Sequence, residues 1–258
     1  MNEPITVVTS FSAEGYALYG GEFLSSFAGF WPAEVELLVY AEGCEPFIGR
    51  ENSLALDLFT QAPDAAAFVE RHRNNPEASG RKRVDGHRWK ESAVTLGYNY
   101  RFDAVRFSRK PFAVQAAMRR RYSGLLFWVD ADVVTHRPVT SAFLRGLLPE
   151  GTDYCYLGRS TTNSECGFLG YRMPACRPLI DGLADMYRTN MIFAEAEWHD
   201  SFLWDIMRGR ETCTALRGND LSRAPRIGDV FSRSILATCM EHRKGAKKYQ
   251  VKDRKVAR

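Results

Sequence analysis

Residues Leu125 to Val134 read LLFWVDADVV. Bulky apolar residues lead straight into Asp130, Ala131 and Asp132, and two valines follow. A continuous apolar run, without polar residues at alternate positions, predicts a strand buried on both faces. Carboxylates at the end of such a strand are costly to desolvate unless a cation compensates them. Two aspartates one residue apart at a sheet edge offer hard oxygen ligands for a divalent metal. A solvated acidic turn is the alternative for any D-x-D, but such turns do not usually sit directly behind Leu-Leu-Phe-Trp-Val.

The rest of the chain supplies a frame for that strand. Ile5 to Thr9 reads as a first buried strand, and Ser10 to Gly15 as a polar loop at its carboxyl end. Tyr16 to Phe30 has helical apolar spacing and is stopped by Trp31-Pro32; Val35 to Tyr40 is a second strand. This β-α-β opening predicts an α/β fold with a mostly parallel central sheet flanked by helices. Ligands of such sheets bind beyond the carboxyl ends of the strands. The segments 10–15, 41–43 and 130–132 are therefore expected on one rim. Further helices are expected over 61–72, 102–122, 174–187 and 201–207, and short strands over 153–157 and 167–171. Residues 61–90 read as a basic insertion or mobile loop: Asn74-Asn75-Pro76 breaks the helix, and 80–86 is basic and flanked by glycines. The expected organisation is one domain over 1–249 and a basic tail over 250–258.

Composition narrows the class. At 45% hydrophobic and 26% charged residues the chain reads as a soluble globular protein. No apolar stretch approaches the roughly 18–20 residues of a membrane span. The start, MNEPITVVTS, lacks the features of a signal peptide, so a cytoplasmic location is expected. The six cysteines are scattered, with no C-x-x-C, which argues for reduced thiols rather than a zinc site or a disulfide framework. The net charge of +4 is unevenly spread. Arg71 to Lys90 holds seven Lys/Arg against Glu77 and Asp85, and His242 to Arg258 holds eight against Asp253. Such clusters suit an anionic partner: a diphosphate, a nucleic acid or an acidic surface. A solvated tail accounts equally well for the last ten residues.

Four segments fit one template: Asp130-Ala131-Asp132, the stretch from Glu165 to Tyr171 (ECGFLGY), Trp198-His199-Asp200-Ser201, and the stretch from His242 to Lys248, which spells H-x-x-G-x-x-K. Together they resemble a GT-A fold (Rossmann-like) glycosyltransferase. The last segment is similar to the closing motif of the retaining family that includes glycogenin and bacterial lipopolysaccharide galactosyltransferases. The resemblance implies that Asp130, Asp132 and His242 ligate Mn²⁺ or Mg²⁺, with Gly245 and Lys248 against the diphosphate of a nucleotide-sugar donor. Carboxylates and a neutral imidazole suit that metal, glycine permits close backbone approach, and lysine supplies a point charge. The match is partial: Tyr249 and Gln250 stand where the family has proline and tryptophan. A solvated histidine and lysine in a basic tail is the alternative for His242 and Lys248.

Other residues are assigned by position. Asp200 is placed to face the reacting sugar carbon, or to serve only as a helix N-cap. Glu165 is a candidate to bind sugar hydroxyls or act as a base, with an exposed loop acid as the alternative. Ser10 and Phe11 follow the first strand, where this fold holds the nucleotide. Arg106 and Lys110, spaced i, i+4, share a helical face that reaches the nucleotide or diphosphate, or lies in solvent. The implied activity is transfer from a nucleotide-diphosphate sugar, a UDP-sugar foremost, to a hydroxyl acceptor with retention. Inversion, with Asp200 or Glu165 as general base, stays open. The acceptor is a saccharide or, given the basic clusters, hydroxymethylated DNA. A metal-dependent nucleotidyltransferase and a non-catalytic nucleic-acid-binding protein are the competing classes.

Overall fold

The computed structural model describes residues 3–81 and 98–245. Among them, the strands are β1 (Ile5–Ser12), β2 (Glu36–Glu42), β3 (Ser53–Asp57), β4 (Gly124–Val129), β5 (Val133–Thr135), β6 (Tyr154–Leu157), β7 (Glu165–Met173), β8 (Gly218–Asp220) and β9 (Met240–His242). Seven form a sheet ordered β3-β2-β1-β4-β7-β6-β8, and β5 and β9 pair as a separate antiparallel ribbon. Strands β3, β2, β1 and β4 run parallel. Strand β7 is antiparallel to both its neighbours, and β8 is parallel to β6. The mixed α/β fold with a mostly parallel sheet is the one the sequence predicts.

Strand β4 lies between β1 and β7, and this explains its unbroken apolar sequence. Leu125, Phe127 and Val129 join one core, and Leu126 and Trp128 join the other. The first core is covered by α1 (Gly21–Phe30), which contributes Phe23 and Phe27. The second is covered by α2 (Pro63–His72) and α3 (Arg109–Arg120), with Phe68 and Phe112. Helix α4 (Ser141–Leu147) lies on the first face, and α5 (Arg177–Arg188) and α6 (Asp200–Arg208) on the second. Each such side chain stabilises the fold by about 1.5–3 kcal/mol on full burial. Gly124 starts β4 at φ +110°, where any Cβ would run into the carbonyl of Pro4. The chain thus turns into β4 at a glycine and leaves it at Asp130.

Two elements differ from the sequence expectation. Ser10–Ser12 continues β1 rather than forming a loop, because β2 extends to Glu42 and the ladder follows it, Phe11 opposite Ala41 and Ser12 opposite Glu42. Ser12 then caps the short helical turn Ala13–Gly15 through its side-chain oxygen. Strand β3 carries no apolar run; it is an edge strand with mostly exposed side chains. No helix among the described residues is long and apolar enough to cross a membrane.

Candidate metal centre

The carboxyl end of β4 turns tightly into β5. The Asp130 amide donates to the Gly167 carbonyl at 2.9 Å, and the Val133 amide to the Asp130 carbonyl at 2.9 Å. Pairing of β5 with β9 sets His242 opposite Val133, and the Arg243 amide donates to the Asp132 carbonyl at 2.9 Å. His242 Nε2 lies 3.0 Å from Asp132 Oδ1 and 3.7 Å from Asp130 Oδ2. One ligand atom from each of the three residues falls within 4.8 Å of the others. Asp132 and His242 are buried, while Asp130 is partly open to solvent. Two carboxylates and an imidazole converging on one point fit a hard divalent cation such as Mn²⁺ or Mg²⁺.

The surroundings orient these ligands. His242 Nδ1 sits 3.2 Å from Glu165 Oε1, so Nε2 is turned toward the aspartates. Glu165 also accepts from the Gly167 amide at 3.2 Å and pairs with Arg159 and Lys244. Burial disfavours a charged His242, yet hydrogen bonds to Asp132 and Glu165 prevail and push its pKa up to about 9. A cation bound through Nε2 displaces that proton. Burial likewise disfavours the Glu165 carboxylate, but His242 and Lys244 hold it far below the usual carboxylate range.

Gly167 is required beside this ring. A Cβ at this position would overlap the imidazole of His242. We expect Gly167→Ala to push the imidazole off its line and weaken Mn²⁺ binding roughly 10–100-fold, the usual cost of disturbing a ligand's support. Calorimetric titration of Mn²⁺ into both proteins, with circular dichroism as the folding control, checks this. Equal affinities would show that the ring tolerates displacement.

Asp130 is held from the opposite side. Its Oδ1 accepts from Trp128 Nε1 at 2.6 Å and lies 2.9 Å from Lys110 Nζ, so Oδ2 is the oxygen turned toward His242. Lys110, in the first turn of α3, also donates to the Cys166 carbonyl at 2.8 Å and pairs with Asp200. Burial disfavours the lysine's charge, but Asp130 and Asp200 raise its pKa well above the ordinary value. Asp200 is buried too; Lys110 outweighs the desolvation and keeps its carboxyl below the ordinary range. The N-cap position of α6 is His199, and Asp200 is the first helical residue, accepting from the Ser201 amide at 2.9 Å.

The other predicted residues are placed as follows. Ser10 is half-buried on β1. Phe11 is buried, its ring stacked on Tyr16 with centroids 5.5 Å apart. Arg106 lies near the same rim, its guanidinium 3.4 Å from the Tyr98 hydroxyl. Gly245 lies just beyond β9, after Arg243 and Lys244, at φ +56°. Lys248 lies outside the described residues, as do Lys82 and Arg83 and the basic tail. Sequence reasoning missed Arg159, Lys244 and Tyr19. Burial first, and then the charge of Asp132, raise the Tyr19 pKa. Lys244 lay in a variable position of the closing motif, whereas Arg159 and Tyr19 carry no local signal.

No protein-family model matches the chain, and no curated protein does. Solved structures do. The apo form of mouse xyloside xylosyltransferase 1 aligns over 84% of this chain and 85% of its own, with a TM-score of 0.50 at 12% identity. The apo form of the glycosyltransferase GlyE of Streptococcus pneumoniae TIGR4 aligns over 85% of this chain and 46% of its own, with a TM-score of 0.44 at 9% identity. The likeness to the xylosyltransferase is one of fold, and the chain shares the α/β architecture of that glycosyltransferase.

Proposed function

We propose that this chain is a metal-dependent glycosyltransferase that moves a sugar from a nucleotide-diphosphate sugar, a UDP-sugar foremost, to a hydroxyl acceptor. The observation that carries the reading is the convergence of Asp130, Asp132 and His242 at the carboxyl end of β4. The glycosyltransferase fold of the structural neighbour is consistent with it. Bound by these residues, Mn²⁺ or Mg²⁺ supplies Lewis-acid charge to a departing diphosphate. Gly245 and Lys248 are assigned to the diphosphate, and Ser10 and Arg106 to the nucleotide side of the rim.

Asp200 and Glu165 take different roles in this reading. Lys110 keeps Asp200 ionised, so its negative charge is available to stabilise a positively charged sugar carbon. Glu165 has His242, Arg159, Lys244 and the Gly167 amide as partners. It therefore serves as a positioning residue for His242 rather than as a base. Transfer proceeds on one face of the sugar: the anomeric carbon–phosphate oxygen bond breaks, the bond to the acceptor oxygen forms, and the acceptor proton passes to the departing phosphate. Anomeric configuration is retained.

Thermal unfolding with UDP, GDP and CMP, each with and without Mn²⁺, tests the donor assignment. A ligand at a hundred times its Kd stabilises by about 2.7 kcal/mol. We expect the largest rise in Tm with UDP and Mn²⁺ together, a smaller one with Mn²⁺ alone and little with UDP alone. Absence of a metal-dependent shift with all three nucleotides would overturn the assignment.

A further inference from the structure

We propose that the polar cluster around His199 is the acceptor subsite and that it takes a neutral saccharide. The proposal rests on the donor reading above, and the subsite lies directly beside the centre described there.

Three segments converge at His199. The first carries Asp200 and brings His199 itself, whose Nδ1 is 3.9 Å from Asp200 Oδ1. The second is the connection from β6 to β7, which brings Asn163 two residues before Glu165; Asn163 Nδ2 is 3.5 Å from His199 Nε2. The third is the turn Tyr100–Phe102. Its Tyr100 ring meets His199 edge-on with centroids 5.5 Å apart, and its Arg101 pairs with Glu197 at 2.5 Å. Glu197 Oε2 in turn lies 2.8 Å from His199 Nε2. The arrangement is fixed from outside the cluster. The amide and hydroxyl of Ser164 donate to Asp205 at 2.8 and 2.7 Å, and the Trp198 amide donates to the Arg101 carbonyl at 2.7 Å. The two segments that hold Asp200 and Glu165 thus each present a hydrogen-bonding side chain, and those side chains meet.

The chemistry of the cluster selects the ligand. Tyr100 is 50% exposed, so the ring has an open surface for the apolar C–H face of a pyranose. An amide, an imidazole and a carboxylate, all partly paired, stand around it for hydroxyl groups. A nucleic-acid backbone suits the cluster poorly. Arg101 is matched by Glu197, and Asp200 by Lys110, which is itself shared with Asp130. A phosphate here would face carboxylates without a surplus cation among the described residues.

Binding of methyl β-D-glucoside, methyl β-D-galactoside and methyl β-D-xyloside, followed by saturation-transfer NMR, tests the subsite without needing turnover. A DNA duplex containing 5-hydroxymethylcytosine is the competing probe. We expect at least one glycoside to bind. Tyr100→Ala and Asn163→Ala should weaken it roughly three- to tenfold, Tyr100→Phe should leave it unchanged, and Mn²⁺-dependent UDP affinity should be the same in all. Unchanged glycoside affinity in Tyr100→Ala, or no glycoside binding by the unaltered protein, overturns the proposal. Duplex binding that is lost in Tyr100→Ala would transfer the site to nucleic acid. Failure of UDP and Mn²⁺ to bind the unaltered protein counts against the donor reading alone, since the glycoside measurement is independent of it.

Discussion

Lys110→Met is expected to lower unfolding stability by about 3–5 kcal/mol, the cost of removing one partner from a buried ion pair. The lysine is shared by Asp130, Asp200 and the Cys166 carbonyl, and the methionine leaves the buried Asp200 carboxylate without its cation and the partly open Asp130 without its partner. Domains of ordinary stability have only about 5–15 kcal/mol in total, so the variant is marginal at neutral pH. Urea midpoints measure the loss. The pH dependence has a definite sign. In the unaltered chain the Asp200 carboxyl is held below its ordinary value of 3.8, so its stabilising contribution is present above that pH and is lost as pH falls through the lower folded value. Without Lys110, burial is opposed only by the weaker effects of His199 and the Ser201 amide, so the Asp200 pKa rises and the folded variant takes up protons earlier. The difference between the two proteins should therefore be largest near pH 7 and shrink toward pH 4. Lys110→Met/Asp200→Asn should recover part of the loss at pH 7. A deficit that is small, or that grows on acidification, would mean the charges are more solvated than their burial implies.

Asp132→Ala should leave the chain folded, weaken Mn²⁺ binding and remove the proposed sugar transfer. The substituted carboxylate is buried within 3.0 Å of His242 Nε2, and Glu165 remains to balance the imidazolium when it is gone. Loss of a ligand that fixes a catalytic cation costs several kcal/mol in the transition state; about 3–4 kcal/mol is roughly 10²–10³-fold in rate. Transfer from UDP-sugar in Mn²⁺ buffer, together with Mn²⁺ titration and circular dichroism, checks all three statements. Normal turnover by this variant after chelator treatment would remove the metal from the mechanism.

The central strand was legible in the sequence for a physical reason. Burial on both faces writes an apolar run that no surface segment imitates, and the cost of burying carboxylates at its end points to a cation. Strand β3 was not legible, because an edge strand with exposed side chains needs only backbone pairing, which Ser-Leu-Ala-Leu-Asp provides without a pattern. Strand β9 is three residues long, and its His242 was found through motif spacing, not through any strand signal. The bridge from Lys110 to Asp200 joins residues far apart in sequence. Nothing near Lys110 distinguishes it from Arg106, whose guanidinium instead approaches Tyr98. Glu165 read locally as a loop acid or a base. Only its contacts with His242, Arg159 and Lys244 make it a support.

The ribbon of β5 and β9 gives the centre a mechanical property. Asp132 and His242 are roughly 110 residues apart along the chain, and closing a loop of that length carries a large entropic cost in an unfolded ensemble. Three paired residues on each side hold it shut. A cation gripping both ends would act as a reversible crosslink, and the ribbon should then be the first element to open when the ion is removed. Amide exchange at Met240–His242 would then report metal occupancy before the central sheet registers any change.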